Sequence, residues 1–242
     1  MRIFLAGASG AIGRRLMPLL LADGHSVVGT TRSATKAAEL EALGIAPVVL
    51  DAFDAGPVRE AVANARPHIV IHQLTDLPQL LDPTQMAASR QRNTRLRIEG
   101  TANLVAAARA AGARRLIAQS IAFAYADGPE PHGESDPLAS PDGDDPVAIT
   151  AKGVRALEES VLGASGLEGI VLRYGRLYGP GTWYAAATGK GPLHVDAAAS
   201  AARLAVTRGA AGIYNIAEDD GALLTEKAGR ELGFDPGFRL KT

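Results

Sequence analysis

Gly7-Ala8-Ser9-Gly10-Ala11-Ile12-Gly13 follows a short apolar run, Ile3 to Ala6, and opens an amphipathic stretch, Ala11 to Ala22. Glycines between a strand and a helix permit a tight turn and a close backbone approach. The first helical turn then offers unpaired N–H groups to a pyrophosphate. The spacing is G-x-x-G-x-x-G, and its place between strand and helix is what makes it a dinucleotide-binding loop.

Outward from this loop the same alternation repeats. Further strands are predicted at Val27 to Thr30, Pro47 to Leu50, Ile69 to Leu74, Arg115 to Gln119 and Gly169 to Arg173. Helices are predicted between them, at Ala34 to Leu43, Pro57 to Asn64, Thr84 to Ala111 and Val147 to Leu162. Glycines 24, 44, 112 and 163 stand where left-handed helix stops are needed. Strands that alternate with helices of this length require crossover connections, hence a parallel sheet covered on both faces. The fold class is α/β, a Rossmann-type doubly wound parallel sheet. Residues 1–177 form the dinucleotide-binding part and 178–242 a small substrate lobe with elements returning to the core: a helix Asp196 to Thr207, a strand Ile213 to Ile216 and a helix Leu223 to Leu232. Pro18 predicts a bend in the first helix. The segment Asp127 to Pro146 has five prolines, three glycines and seven acidic residues without a Lys or Arg, so it reads as a solvated loop at the substrate mouth.

Composition narrows the function classes. The 242 residues carry 25 Lys and Arg against 26 Asp and Glu, so no basic field attracts nucleic acid. Zero cysteines exclude disulfides and thiolate metal sites and favour a reducing, cytoplasmic setting. No apolar run approaches the length of a membrane span. The five histidines show no metal-ligand spacing, and no metal is expected.

The second strand decides the cofactor. An acidic residue at its end would hold a ribose diol, yet the sequence there is Thr31-Arg32-Ser33. Arg32 can pair with a 2′-phosphate, assisted by the hydroxyls of Thr31 and Ser33, so NADP(H) is preferred and NAD(H) remains possible. Asp51 and Ala52 after the third strand are placed for the adenine, and Leu74 and Thr75 after the fourth for the ribose. Gly7, Ser9, Gly10, Ala11, Ile12 and Gly13 form the phosphate loop.

The ordered set GASGAIG at 7–13, Val70-Ile-His-Gln-Leu-Thr75, Gly100-Thr-Ala-Asn-Leu104, Ala118-Gln-Ser-Ile-Ala-Phe-Ala-Tyr125, Leu172-Arg-Tyr-Gly-Arg-Leu-Tyr-Gly-Pro180 and His194-Val-Asp196 resembles the extended short-chain dehydrogenase/reductase superfamily, in its NAD-dependent epimerase/dehydratase-like branch. The resemblance implies hydride transfer assisted by a tyrosine and, four residues on, a lysine that lowers the phenol pKa and holds the nicotinamide ribose. Here that stretch is Ala148-Ile-Thr-Ala-Lys152: the lysine is present and alanine replaces the tyrosine. The hydroxyl position falls on Ile121 with Ser120 one residue early, and the expected asparagine is Arg97. The catalytic candidates are therefore Lys152, Tyr125 and Ser120. Tyr174, Tyr178 and Tyr184 are further hydroxyls near the site, and Tyr174 is expected to line the nicotinamide pocket. Asp196 is expected to cap its helix.

These residues imply an atypical NADP(H)-dependent oxidoreductase acting on a small carbonyl or alcohol, with nucleotide sugars disfavoured by the short segment between Gly181 and His194. A cofactor-binding sensor without turnover, or a nonredox lyase or isomerase, are the alternatives. The alanine-rich fourth and Val147 helices imply a homodimer through the resemblance.

Overall fold

The computed structural model describes residues 1–78 and 80–240. Seven parallel strands form one sheet in the order β3-β2-β1-β4-β5-β6-β9. They are β1 (Arg2–Ala6), β2 (Ser26–Thr31), β3 (Ala46–Val49), β4 (Ile69–His72), β5 (Arg115–Ile121), β6 (Glu168–Tyr174) and β9 (Gly212–Ile216). The chain reverses direction across the sheet between β1 and β4, so their carboxyl ends frame a crevice, the place where open α/β sheets take ligands.

Strand parity divides the core into two layers. Ile3, Leu5, Ile69, Ile71, Ile117, Ile170, Leu172 and Tyr174 face α1 (Ala11–Ala22) and α7 (Val195–Ala205). Phe4, Ala6, Val70, Leu116, Ala118 and Val171 face the other side, where α3 (Ala55–Ala65), α5 (Thr101–Ala110) and α6 (Pro146–Leu162) lie. Core elements α7 and β9 come from beyond residue 178 and close this architecture rather than standing apart from it. The expected C-terminal helix is shorter: α8 spans Glu226–Leu232. Leu223 instead bridges to His132, and Leu224 N–H donates to the His132 carbonyl at 2.9 Å.

The helix α1 is unbroken through Pro18, which lies on its exposed face. Two further expectations are corrected. The long helix predicted over 84–111 is α4 (Pro83–Arg95), a π-helical turn Leu96–Gly100 and α5, with helical dihedrals throughout. The cap of α7 is His194, whose Nδ1 accepts from the Asp196 N–H at 3.2 Å, so Asp196 belongs to the first turn. A short parallel pair, β7 (Arg176–Tyr178) with β8 (Pro192–His194), had no periodic signal at three residues each. Among the described residues no helix is long and apolar enough to cross a membrane, and no group of three His, Asp or Glu could hold a metal.

The acidic segment is not merely solvated. Ala126 N–H donates to the Pro137 carbonyl and Ala139 N–H to the Ala124 carbonyl, both at 2.9 Å, and Leu138 and Ala139 are buried.

Two glycines set the crevice. A Cβ on Gly7, which has φ +91°, would meet the Gln73 carbonyl oxygen at 2.6 Å. One on Gly13 would run into the Gly7 carbonyl and come within 2.5 Å of the Ala8 oxygen. Gly13→Ala should therefore cost about 1–3 kcal/mol, as overpacking against backbone does. Urea unfolding checks this, and a stability equal to the parent would show that α1 can move away from the loop.

Candidate functional site

The loop from Gly7 to Gly13 is held by the second strand. Gly7 N–H donates to Thr30 Oγ1 at 3.2 Å and Ala8 N–H to the Thr30 carbonyl at 3.1 Å. Ser9 Oγ donates to Thr31 Oγ1 at 3.0 Å. The amino end of α1 has Gly10 as its cap, with no side-chain hydrogen bond and no acidic residue in the first turn. A Cβ on Gly10 would meet only the Gly7 carbonyl oxygen, at 3.3 Å. The first-turn donors at Ala11 and Ile12 are thus unobstructed by any carboxylate, which is the donor chemistry a pyrophosphate requires. The residues present fit a dinucleotide.

Arg32 follows β2 and is 59% exposed on its side chain; among the described residues its one hydrogen-bond or ion-pair partner is Asp76, Nη2 to Oδ1 at 3.4 Å. Asp76 also faces Arg92 at 3.5 Å and is tied to α4 by Ser89 and Asn93. A surface pair of that length contributes little, so the guanidinium is available to another anion. Ser33 Oγ caps α2 (Ala34–Ala42) by accepting from Lys36 N–H at 3.3 Å, and Arg14 is paired with Glu39 at 2.7 Å. Asp51 Oδ1 accepts from Phe53 N–H, while Asn103 Nδ2 donates to the Ala52 carbonyl at 2.9 Å and fixes that loop. Leu74 N–H donates to His72 Nδ1 at 3.1 Å, a turn that ends β4 two residues before the expected Leu74; Leu74 and Thr75 are half-buried, and the Leu74 backbone nitrogen lies beside Gly7.

A strap crosses this groove. Gly181 lies by Ala11, Thr182 Oγ1 donates to the Gly179 carbonyl at 2.8 Å, and Trp183 Nε1 donates to the Pro78 carbonyl at 2.9 Å. Sequence reading missed it; the lone tryptophan in an otherwise glycine-rich loop was the available signal.

The catalytic candidates are not brought to one point. Ser120 shares strand parity with Leu116 and Ala118, so its hydroxyl faces α6, where Oγ donates to Glu158 Oε1 at 2.7 Å. Glu158 and Arg173, both buried, form a two-pronged pair at 2.9 and 2.7 Å. Arg173 Nη1 donates to Tyr125 Oη at 2.8 Å, and Tyr125 donates to Asn215 Oδ1 at 2.7 Å. Asn215 Nδ2 donates to the His132 carbonyl at 3.1 Å, and the His132 ring stacks on Tyr125. The chain of contacts thus runs from α6 through the sheet to the acidic segment. Its members were legible only as charges at core positions: Glu158 lies among Val154, Leu157 and Val161, and Arg173 lies in an apolar strand.

Lys152 lies exposed on α6, four residues from the buried Ala148. Tyr174 is 1% exposed and faces the α1 and α7 layer, its hydroxyl donating to the Ala198 carbonyl and accepting from Gln73 Nε2, both at 3.3 Å. It supports the floor of the crevice rather than lining it. Burial pushes the phenols of Tyr125 and Tyr174 up, the reverse of what a lysine-assisted tyrosine needs. Tyr178 is also raised, by burial and by Glu218, to which its hydroxyl donates at 2.6 Å. Tyr184 is exposed at the strap.

His72 is fully buried between Leu74 N–H and Thr101 Oγ1, and burial, reinforced by the Arg97 charge, holds it at about 4.

With this geometry in place, a family profile described as NAD(P)H-binding matches residues 7–211, and the chain belongs to that family. It is 45% identical over 242 aligned residues to a 3-diazoavenalumate denitrifying reductase of a Streptomyces species, covering 92% of this chain and 77% of that one. The fold is shared with UDP-glucose 4-epimerase of Thermotoga maritima, at a TM-score of 0.80 and 18% identity over 99% of this chain and 94% of that one. It is shared also with the dTDP-glucose 4,6-dehydratase DesIV of Streptomyces venezuelae, at 0.76 and 19% over 99% and 93%. The expected doubly wound, NAD(P)-binding fold is upheld.

Two predictions follow from the buried groups. Glu158→Gln removes the carboxylate from a buried pair and leaves Arg173 uncompensated, which should cost about 3–5 kcal/mol in chemical unfolding; a loss under about 1 kcal/mol would show the pair to be dispensable. The unfolded imidazole of residue 72 takes up a proton near pH 6.5, and the folded one only near 4. Below pH 6.5 the unfolded state binds more protons, so the stabilising contribution is lost as pH falls, at about 1.4 kcal/mol per unit at most. Between pH 6.5 and 4 the stability of His72→Gln should fall less steeply than that of the parent; parallel curves would remove His72 as the cause.

Proposed function

We propose that this protein is an NADPH-preferring reductase that delivers hydride to a small organic acceptor without a proton donor from the protein. The observation that carries the reading is a dinucleotide cradle with no carboxylate in its first helical turn, together with an α6 that offers Ala148 and Lys152 where the resembling superfamily has tyrosine and lysine. In this reading the backbone donors of residues 7–13 hold the pyrophosphate, Arg32 with Thr31 and Ser33 reads the 2′-phosphate, and Lys152 orients the nicotinamide ribose. Asp51, Ala52, Leu74 and Thr75 bound the adenosine half. Reduced nicotinamide supplies a hydride; an acceptor that takes it and expels a neutral leaving group, as an aryl diazonium becomes an arene by losing dinitrogen, needs no acid at all.

The diazo substrate in the relative's name supports that class of acceptor. A small carbonyl is the second substrate class, with water supplying the proton, because Tyr125 and Ser120 already spend their hydroxyls on the Glu158–Arg173 network. The cysteine-free composition agrees with a cytoplasmic setting, and the exposed Val147 on α6 supports a homodimer across α4, α5 and α6, read by light scattering.

The test is a fluorescence titration with NADPH and NADH, then turnover of an aryl diazonium with 4-deuterated cofactor. NADPH should bind tighter, and Arg32→Ala should weaken NADPH about tenfold or more, one charge-assisted hydrogen bond, while leaving NADH unchanged. Deuterium should appear on the arene carbon that lost nitrogen. Binding without turnover of diazonium or carbonyl compounds would favour the sensor; binding of neither cofactor would end the reductase reading.

A further inference from the structure

Arg97 is the charge that this reading leaves unused. It sits in the π turn between α4 and α5, is only 7% exposed, and has no hydrogen bond or ion pair among the described residues. The titratable groups within electrostatic reach are Glu158 and His72. Neither neutralises it. Both oxygens of Glu158 are taken by Arg173, one of them also by Ser120. His72 is a neutral imidazole whose two nitrogens are already bonded. One positive charge is therefore left over on a mostly buried side chain whose unbonded nitrogens are not sealed from the surface; burial draws Arg97 down to about 10, leaving it charged at neutral pH. A largely desolvated charge of this kind gains from a counter-ion that reaches it from outside.

Space around Arg97 agrees. Thr94, one turn earlier on the same helical face, is pressed against α6: its Oγ1 donates to the Ile149 carbonyl at 2.8 Å, and a Cβ on Gly153 would meet the Thr94 Cα at 3.0 Å. Arg97 follows three residues on, in the π turn that itself packs on α6, a helix whose buried residues near its start are Ala148 and Ala151. A π turn shifts the helical phase at this point, and such turns recur at functional sites. Its charge acts on His72, the last residue of β4, which puts Arg97 near the carboxyl end of the sheet.

We propose that Arg97 determines specificity by binding a carboxylate of the substrate through its planar fork of N–H donors. This rests on the reductase reading for the identity of the site, though not for its chemistry.

The experiment uses the full chain, with and without saturating NADPH, and cinnamate as the probe, with cinnamamide as its neutral counterpart. Calorimetry and thermal melting are read for the parent, Arg97→Met and Arg97→Lys. The parent should bind cinnamate at least tenfold tighter than the amide and melt higher in its presence. Arg97→Met should lose that preference and, without ligand, melt no lower than the parent, because it removes an uncompensated charge. Arg97→Lys should keep part of the preference.

Equal binding of acid and amide by the parent overturns the proposal, and that result stands even if Arg97→Met fails to fold. So does an Arg97→Met protein that melts well below the parent and keeps the preference, since Arg97 would then be serving Glu158. Competition between cinnamate and NADPH also overturns it, by placing Arg97 in the cofactor site. Failure of NADPH to bind strikes the reductase reading alone, because the carboxylate preference is also measured on the cofactor-free protein.

Discussion

The carboxyl end of this sheet depends on three backbone segments that touch without side chains between them: the turn at Gly7, the Gln73 carbonyl after β4, and the first turn of α1 over Gly13. Backbone contact this close leaves no room for a methyl group. It fixes where the helix dipole points and how far β4 can run before the chain must turn away. The crevice between β1 and β4 exists because that contact does, and each residue proposed to touch a cofactor is placed relative to it.

Around this frame the buried charges fall into two kinds. Glu158 and Arg173 bond each other, and Ser120, Tyr125 and the Glu134 carbonyl take up further groups of the pair, so that α6, β6 and the acidic segment are joined. Arg97 is the opposite case, a mostly buried charge with no hydrogen bond or ion pair among the described residues. The contrast is what motivates the proposal of an external anion: the pair ties elements of the fold together, whereas the guanidinium of Arg97 ties none.

Much of the fold was legible because the relevant signals are local. The alternation of Ile3, Phe4, Leu5 and Ala6 fixes the first strand, and α1 has the bounds its periodicity gave, Ala11 to Ala22. The glycine loop was readable for the same reason. What could not be read depends on tertiary contact. Three-residue strands such as Arg176–Tyr178 have no period to detect, and the composition of 127–146 says irregular without saying anchored. Parity explains the hydroxyls. In β5 a step of one residue decides whether Ser120 meets α6 or the crevice, and in β6 Tyr174 falls with Ile170 and Leu172 toward α1 and α7. Arg97 was visible as a departure from the family pattern, but its lack of a partner only appears once Glu158 is seen to be occupied.

The strap over the glycine loop has an optical consequence. Trp183 is the single tryptophan of the chain, and its indole rests across the groove on one hydrogen bond to Pro78. Indole emission overlaps the absorption of a reduced nicotinamide, and quenching by energy transfer falls steeply with distance. The protein thus carries one native donor chromophore, at one known place, whose brightness registers both occupancy of the groove and the seating of the strap above it.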